Sequence, residues 1–404
     1  MTFELDRRTR RDEDRGFVTP EEFFSRDFPR LAAAHGHLVA DGMWALEAPP
    51  LTVEVTGSVW TILRHGETVE LRRGTVDGAV VIALSPDDFS DWVQNQVTLN
   101  GFMVMRSLEL KSGDVADISS WDALWIALLE GWAVIDQGLT FRDRHGAPLD
   151  LGASFSPDDD PADIAHFLRE AGYLHLKAWL DPADLARIVE DMDRARPSYV
   201  EGDGKSWWAT LKDGDRCCVR MQAFVEHSPT TAKILSGETW ARMRAAVAGS
   251  DQLAQVPVAG RVIEALYKPV GVISGPSDVS FHRDCHLGRH AYVCSRVTVG
   301  IPLTRHSAAN GMLRVCAGSH RVGMPVEVAK GRPYLPVVAL ATEPGDLTLH
   351  LSCTLHESTP PVSAERRVMY TEMPLAPLAG ASGQIDTSVG HIRERVSDLL
   401  RDAL

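Results

Sequence analysis

The residues whose types and spacing could do chemistry stand in the segment SFHRDC, where His282 and Asp284 flank Arg283. In an extended chain, residues i and i+2 project to one face, so the imidazole of His282 and the carboxylate of Asp284 can reach a single point. That pairing suits a metal ion. The kinase catalytic loop shares the letters HRD, but it continues differently from the CHLGRH found here, and that reading fails. Downstream, EPGDLTLHLSCTLHESTPPVSAERRVMYTE carries two more histidines, His350 and His356, six residues apart and therefore of the same strand parity. Either could complete two histidines and one carboxylate on one face of a metal, the arrangement of non-haem Fe(II) oxygenases. Such a site leaves positions open for a chelating 2-oxo acid and for dioxygen.

Seven of the fifteen histidines fall between His282 and His356, and those near the pair need weighing. His286 and His290 continue the alternate spacing and could line a pocket mouth, with an ordinary surface role as the plainer reading. Cys285 is expected to point away from the metal as a small packed residue. GDGKS at residues 202–206 echoes a phosphate loop, but Tyr199 stands where the first glycine belongs. Nearby, Trp207, Trp208, Lys205, Lys212, Arg216 and Arg220 offer a candidate substrate contact or an ordinary loop.

The elements that must position these groups follow from pattern. The chain has 404 residues, 44% of them hydrophobic and 24% charged, which are ordinary globular proportions with room for two domains. A net charge of -14 argues against nucleic acid, which is held by a concentrated basic face. No apolar run approaches the roughly 20 residues that span a bilayer, and the charged start is unlike a signal sequence. A cytoplasmic location is therefore expected. Six cysteines without a CxxC fit reduced thiols.

Little order is expected to about residue 30, where charges alternate. LTVEVTGSVWTIL, TVELRRG and GAVVIALS read as three antiparallel strands. Ser85 caps a helix at SPDDFSDWV. A second helix, Ser120 to Ala133, presents Trp121, Leu124, Trp125, Leu128, Leu129 and Trp132 at helical spacing, most simply as core. Leu149 to Asp160 marks a boundary, giving an α+β accessory domain over residues 1–150 and a second domain over 151–404. In the second, a helix, a Gly172 break, a short strand and an Asp181-capped helix precede a series of strands, CVRMQAFV, RVIEALYKPV, AYVCSRVTVGIPL, MLRVCAGS, DLTLHLS and RRVMYTEMPL. Such a series suggests a sandwich or jelly roll with helices outside. An amphipathic helix is expected from Ser388 to Leu404.

The stretch from Asp163 to about Leu375 resembles the phytanoyl-CoA dioxygenase family of Fe(II)- and 2-oxoglutarate-dependent oxygenases. The resemblance rests on REAGYLHLKAWLDPADL, LYKP, HRD, NGMLRVCAGSH and LHESTP, in that order. It implies a double-stranded β-helix (jelly-roll, cupin-like) with flanking helices, holding iron through His282, Asp284 and His356. His356 is preferred to His350 because His356-Glu357-Ser358 runs into a proline turn. It further implies that Arg367, eleven residues after His356, pairs with the distal carboxylate of 2-oxoglutarate, with Ser358 assisting and Arg366 facing the opposite side. The cofactors implied are Fe(II), 2-oxoglutarate and O2. Asp284 stands where related halogenases have Gly or Ala, which favours hydroxylation. Gly300 stands where phytanoyl-CoA hydroxylase has an aromatic residue, so the pocket wall there should differ.

From about Leu51 to Trp132 the strands, the SPDDF helix and VTLNGFMVMRSLELKSGD look similar to the sterol carrier protein family, which implies a hydrophobic ligand or an accessory domain shaping the oxygenase entrance, with a structural or dimerisation domain as the plainer reading. The expected substrate is a small lipophilic or natural-product-type molecule, and the expected partners are that substrate and, in a homodimer, a second copy. The alternative reading is a hydrophobic-ligand-binding protein with a non-catalytic jelly roll.

Overall fold

A computed structural model describes residues 16–95, 97–136, 138–248, 263–275, 279–284, 296–326, 328 and 334–374. Cys285, His286, His290 and the expected helix from Ser388 lie outside these. The chain enters through a Thr19-capped turn at Pro20–Glu22 and a π-helical stretch, Phe23–Asp27, that leads into α1 (Phe28–Ala45). This corrects the expectation of little order to residue 30. Phe23, Phe24 and Phe28 are buried, and these three rings supply apolar surface that the alternating charges upstream lack.

Strands β1 (Leu51–Val55), β2 (Ser58–His65), β3 (Thr68–Arg73) and β4 (Val80–Ala83) are followed by α2 (Pro86–Val93) and α3 (Leu99–Met105). Then come β5 (Glu109–Ser112) and α4 (Val115–Glu130), and the sheet order is β3-β2-β1-β4-β5. The first expected strand is a hairpin of two, and β4 lies parallel to β1, not antiparallel. The chain leaves β3 and crosses to the far edge of β1, where the Val80 N–H donates to the Pro50 carbonyl (2.8 Å). Trp121, Leu124, Trp125 and Leu128 of α4 are buried as their spacing predicts. Trp125 stacks on Trp92 at 3.7 Å.

The second unit runs through α5 (Pro161–Ala171), β6 (Tyr173–Leu176) and α6 (Pro182–Ala195) to β7 (Ser206–Leu211) and β8 (Arg216–Met221). Helices α7 (Pro229–Ser236) and α8 (Glu238–Ala248) follow, then β9 (Ile263–Lys268), β10 (Val272–Ser274), β11 (Val279–His282) and β12 (Arg296–Pro302). The last strands are β13 (Leu313–Cys316), β14 (Val337–Leu340), β15 (Leu347–Leu351), β16 (His356–Ser358) and β17 (Arg366–Pro374). They form a large sheet, β10-β7-β8-β9-β17-β12-β15-β6, and a small one, β11-β16-β13-β14. The two sheets make the jelly roll.

Strand parity gives the large sheet two different faces. Val297, Val299, Leu349 and Met369 join a core with Leu185, Ile188, Trp240 and Met243 from the covering helices. Their sequence neighbours point toward the small sheet. No helix among the described residues is long and apolar enough to cross a membrane, and Cys217, Cys218, Cys316 and Cys353 are free thiols.

One buried carboxylate ties the amino-terminal helices together. Asp122 of α4 accepts the backbone N–H groups of Leu99 (2.7 Å) and Asn100 (3.1 Å) at the start of α3. Asp122→Ala leaves those donors unpaired in the core. It is expected to cost about 2–3 kcal/mol, read as a lower urea midpoint for the amino-terminal unit.

Candidate metal centre

β11 and β16 are neighbours in the small sheet, and register pairs His282 directly with His356. Three residue steps on β11, from Val279 to His282, match two on β16, and this irregularity re-aims the end of β11 into the space between the sheets. The imidazole rings stand 4.2 Å apart. Asp284 follows immediately. One carboxylate oxygen, Oδ1, lies 3.6 Å from Nε2 of His282 and 3.7 Å from Nε2 of His356. One ligand atom from each of the three residues lies within 4.8 Å of the others.

The orientation of each group is fixed from behind. Nδ1 of His282 donates to the Ser280 carbonyl (2.9 Å) and Nδ1 of His356 to the Thr354 carbonyl (2.9 Å). Both Nε2 lone pairs are therefore left facing the centre, as metal-ligating histidines require. The second oxygen of Asp284, Oδ2, accepts the Thr298 hydroxyl (2.8 Å) and Nε2–H of His350 (3.3 Å). His350 thus supports the carboxylate from β15 and stands behind the centre.

Burial alone would raise the Asp284 carboxyl, but His356, His282 and His350 hold it well below the usual carboxylate range. Burial pushes His356 well below the usual imidazole range, helped by His350 and His282. A charged carboxylate and a neutral imidazole are the forms that bind metal.

Arg283 projects the opposite way and clamps the segment. Its guanidinium donates to the carbonyls of Cys353 (2.9 Å), Met324 (2.8 Å), Ser319 (3.1 Å) and Val322 (3.3 Å). The Gly318-Ser319-His320 element is also structural. The Ser319 hydroxyl accepts the N–H of Leu355 (2.8 Å), next to His356, and His320 donates to the Arg169 carbonyl (2.8 Å).

A second polar cluster lies two residues along β16. The Ser358 hydroxyl donates to the Gly311 carbonyl (3.0 Å) and accepts from Nζ of Lys268 (2.9 Å) and from Arg366. Arg366 also reaches the Gly311 carbonyl and the Tyr370 hydroxyl (2.9 Å). It is 1% exposed, yet its Nε has no hydrogen-bond partner. Two buried cations and an unsatisfied donor around one hydroxyl fit an anion, and the three convergent donor atoms fit a divalent metal.

The arginine expected beside Ser358 stands elsewhere. Arg367 faces the other side of β17, pairing with Asp193 (2.8 Å) and Glu365 (3.0 Å) beneath the ring of Tyr267. The inward guanidinium belongs to Arg366. A residue count from His356 crosses the turn at 359–365, and side-chain parity does not carry through a turn. The pairing that decides it is Arg366 with Lys268 across β17 and β9.

Gly300 lies between Thr348 and Tyr370 in register. A Cβ there would meet the Thr348 hydroxyl at 2.5 Å and the Tyr370 ring at 3.0 Å, so Tyr370 brings an aromatic ring to this wall from the neighbouring strand. Sequence reasoning gives no role to Lys268, Thr298, Arg283 or Tyr370. Lys268 sits within LYKP, and its charge in an apolar strand is the available signal.

His306 is packed near the cation cluster, donating Nε2–H to the Arg367 carbonyl (3.1 Å). Burial, with Arg366 and Lys268 nearby, pushes its pKa down to about 3. The unfolded chain therefore takes up a proton near pH 6.5 that the native ring refuses until about pH 3. Stability from this group is present above pH 6.5 and is lost as pH falls through that window. His306→Gln should remove about 2 kcal/mol of the acid sensitivity between pH 7 and 5, read as a shallower change in urea midpoint than in the parent.

The family model described as Phytanoyl-CoA dioxygenase (PhyH) matches residues 168–369. Among solved structures, the chain is similar to AviO1 from Streptomyces viridochromogenes Tue57, at 22% identity with a TM-score of 0.43, covering 56% of this chain and 98% of that one. It is also similar to the non-haem α-ketoglutarate-dependent epimerase SnoN from nogalamycin biosynthesis, at 20% identity and a TM-score of 0.41, covering 56% and 93%. EctD from S. alaskensis with 2-oxoglutarate and 5-hydroxyectoine is 19% identical with a TM-score of 0.42, covering 58% and 82%. No curated protein matches the chain.

Proposed function

Since the chain belongs to the phytanoyl-CoA dioxygenase family, and is thereby an Fe(II)- and 2-oxoglutarate-dependent oxygenase, we propose that it hydroxylates a C–H bond of a small natural-product-type molecule. The overall conversion is R–H + 2-oxoglutarate + O2 → R–OH + succinate + CO2. His282, Asp284 and His356 are the iron ligands in this reading. The observation that carries it is the convergence of their three ligand atoms, with both Nδ1 groups tied to backbone carbonyls. When bound, the metal supplies oxygen activation coupled to decarboxylation of the 2-oxo acid.

The chain's own groups do the positioning. Thr298 and His350 hold Oδ2 of Asp284, which leaves Oδ1 directed at the histidines. Arg366 grips the distal carboxylate of 2-oxoglutarate, with Lys268 and Ser358 beside it and Tyr370 closing the wall. The planar fork of Arg366 suits a carboxylate, and Lys268 stands opposite it across β9 and β17. In this reading Ser358 is a co-substrate contact and Arg366, in place of Arg367, holds the carboxylate. Residues 1–150 are assigned to an accessory domain whose sheet and helices carry their own core.

Protein supplied with Fe(II), ascorbate and 2-oxoglutarate is expected to release succinate, and His282→Ala or Asp284→Ala to bring that release to background. Retained turnover in either variant contradicts the ligand assignment. Thr298→Val, which frees Oδ2 on one side, is expected to weaken Fe(II) binding by about 10–100-fold, measured by metal titration under anaerobic conditions.

A further inference from the structure

The face of the large sheet that looks toward the metal centre carries charge where a lipid pocket would carry hydrocarbon. Its parity is anchored by Lys268 and Arg366, both of which reach Ser358 on the opposite sheet. Four residues back on β9 and four on along β17, Glu264 and Tyr370 stand opposite each other on that same face. Register carries the face outward from Leu266 to Arg220 on β8 and from Arg220 to Trp207 on β7. There Nε of Arg220 donates to Oε2 of Glu264 (2.8 Å), and the guanidinium lies 4.7 Å from the centre of the Trp207 ring.

This pair is open. The Arg220 side chain is 31% exposed and that of Glu264 12%. Among the described residues, the second carboxylate oxygen of Glu264 and Nη1 of Arg220 make no hydrogen bond. On the other side of the centre a second pair, Arg296 with Glu372 (2.9 Å), lies on the same face, Glu372 opposite the Thr298 that holds Asp284.

We propose that the substrate is a neutral, hydroxyl-rich small molecule, a polyol or glycoside, held by Glu264 and Arg220 beside Trp207. This deepens the oxygenase reading and rests on it. Each acid on this wall already has its base, so the wall is locally balanced, and a charged ligand would have to compete with an existing ion pair. An acyl chain would desolvate both pairs and return no hydrogen bond to them. A hydroxyl both donates and accepts, so one diol can bond the unused carboxylate oxygen and the unused guanidinium N–H together. The indole ring supplies the apolar contact for the C–H face of a ring.

The test uses the full chain loaded with Fe(II) and 2-oxoglutarate. Methyl glycosides and inositols, palmitoyl-coenzyme A, and the charged probes ornithine and citrate are compared by anaerobic calorimetry and by stimulated succinate release. At least one glycoside or inositol is expected to bind and to stimulate release, and Glu264→Gln is expected to raise its KM at least about tenfold while kcat changes much less. Arg220→Lys, which keeps the charge but loses the fork, should do the same in smaller measure.

Binding by palmitoyl-coenzyme A or a charged probe in place of the hydroxylated ones overturns the inference, as does failure of every glycoside and inositol to bind. A KM unaffected by Glu264→Gln overturns it too. Absence of succinate from the wild type with every addition instead contradicts the iron reading, because calorimetric binding is still measurable there.

Discussion

One carboxylate joins the two sheets of the jelly roll at the candidate metal centre. Oδ1 of Asp284 turns to His282 and His356, which the small sheet supplies, and Oδ2 is held by Thr298 and His350 of the large sheet. Every other feature of the centre serves this arrangement. The irregular step in β11 brings Asp284 between the sheets, and Arg283 secures the same segment by four bonds to backbone carbonyls on the other side. A carboxylate with one oxygen committed and one directed is pre-organised, so little rearrangement is needed to receive a cation.

A second constraint follows from charge. Lys268 and Arg366 are buried around Ser358, and burying two cations together is unfavourable unless an anion comes between them. Burial, with the same cations beside it, keeps His306 neutral far into acid. A cluster of that charge is the counterpart of affinity for a dicarboxylate. In the proposed reading the distal carboxylate of the co-substrate lies toward Arg366 and its 2-oxo acid end toward Asp284.

Much of this is legible in the residues. HxD spacing on an extended chain is enough to bring His282 and Asp284 to one point, and the shared parity of His350 and His356 leaves two candidates that local turn chemistry separates. Helix caps at Ser85 and Asp181 and the apolar stripe of α4 can be read directly, because they depend on neighbours a few residues apart. Register across turns cannot. Arg366 and Arg367 are adjacent, and which one faces inward depends on the pairing of β17 with β9, a relation over about a hundred residues that no local count contains. The parallel β1–β4 pairing escapes for the same reason. Lys268, Thr298 and Tyr370 become site residues only when the sheet sets them beside Ser358, Asp284 and Gly300.

The orientation of the two arginines is where this picture of the centre is most exposed, and one titration decides it. 2-Oxoglutarate is added to anaerobic Fe(II)-loaded protein, and its dissociation constant is read from the visible metal-to-ligand charge-transfer absorption in the parent, Arg366→Ala and Arg367→Ala. Loss of a buried charged hydrogen-bond partner costs about 2–5 kcal/mol, so Arg366→Ala should weaken binding by roughly thirtyfold or more. Arg367→Ala, which removes pairs to Asp193 and Glu365 and the contact with the Tyr267 ring, should stay within a few-fold of the parent. The reverse pattern, or equal affinity in all three proteins, would contradict the assignment of Arg366 to the co-substrate.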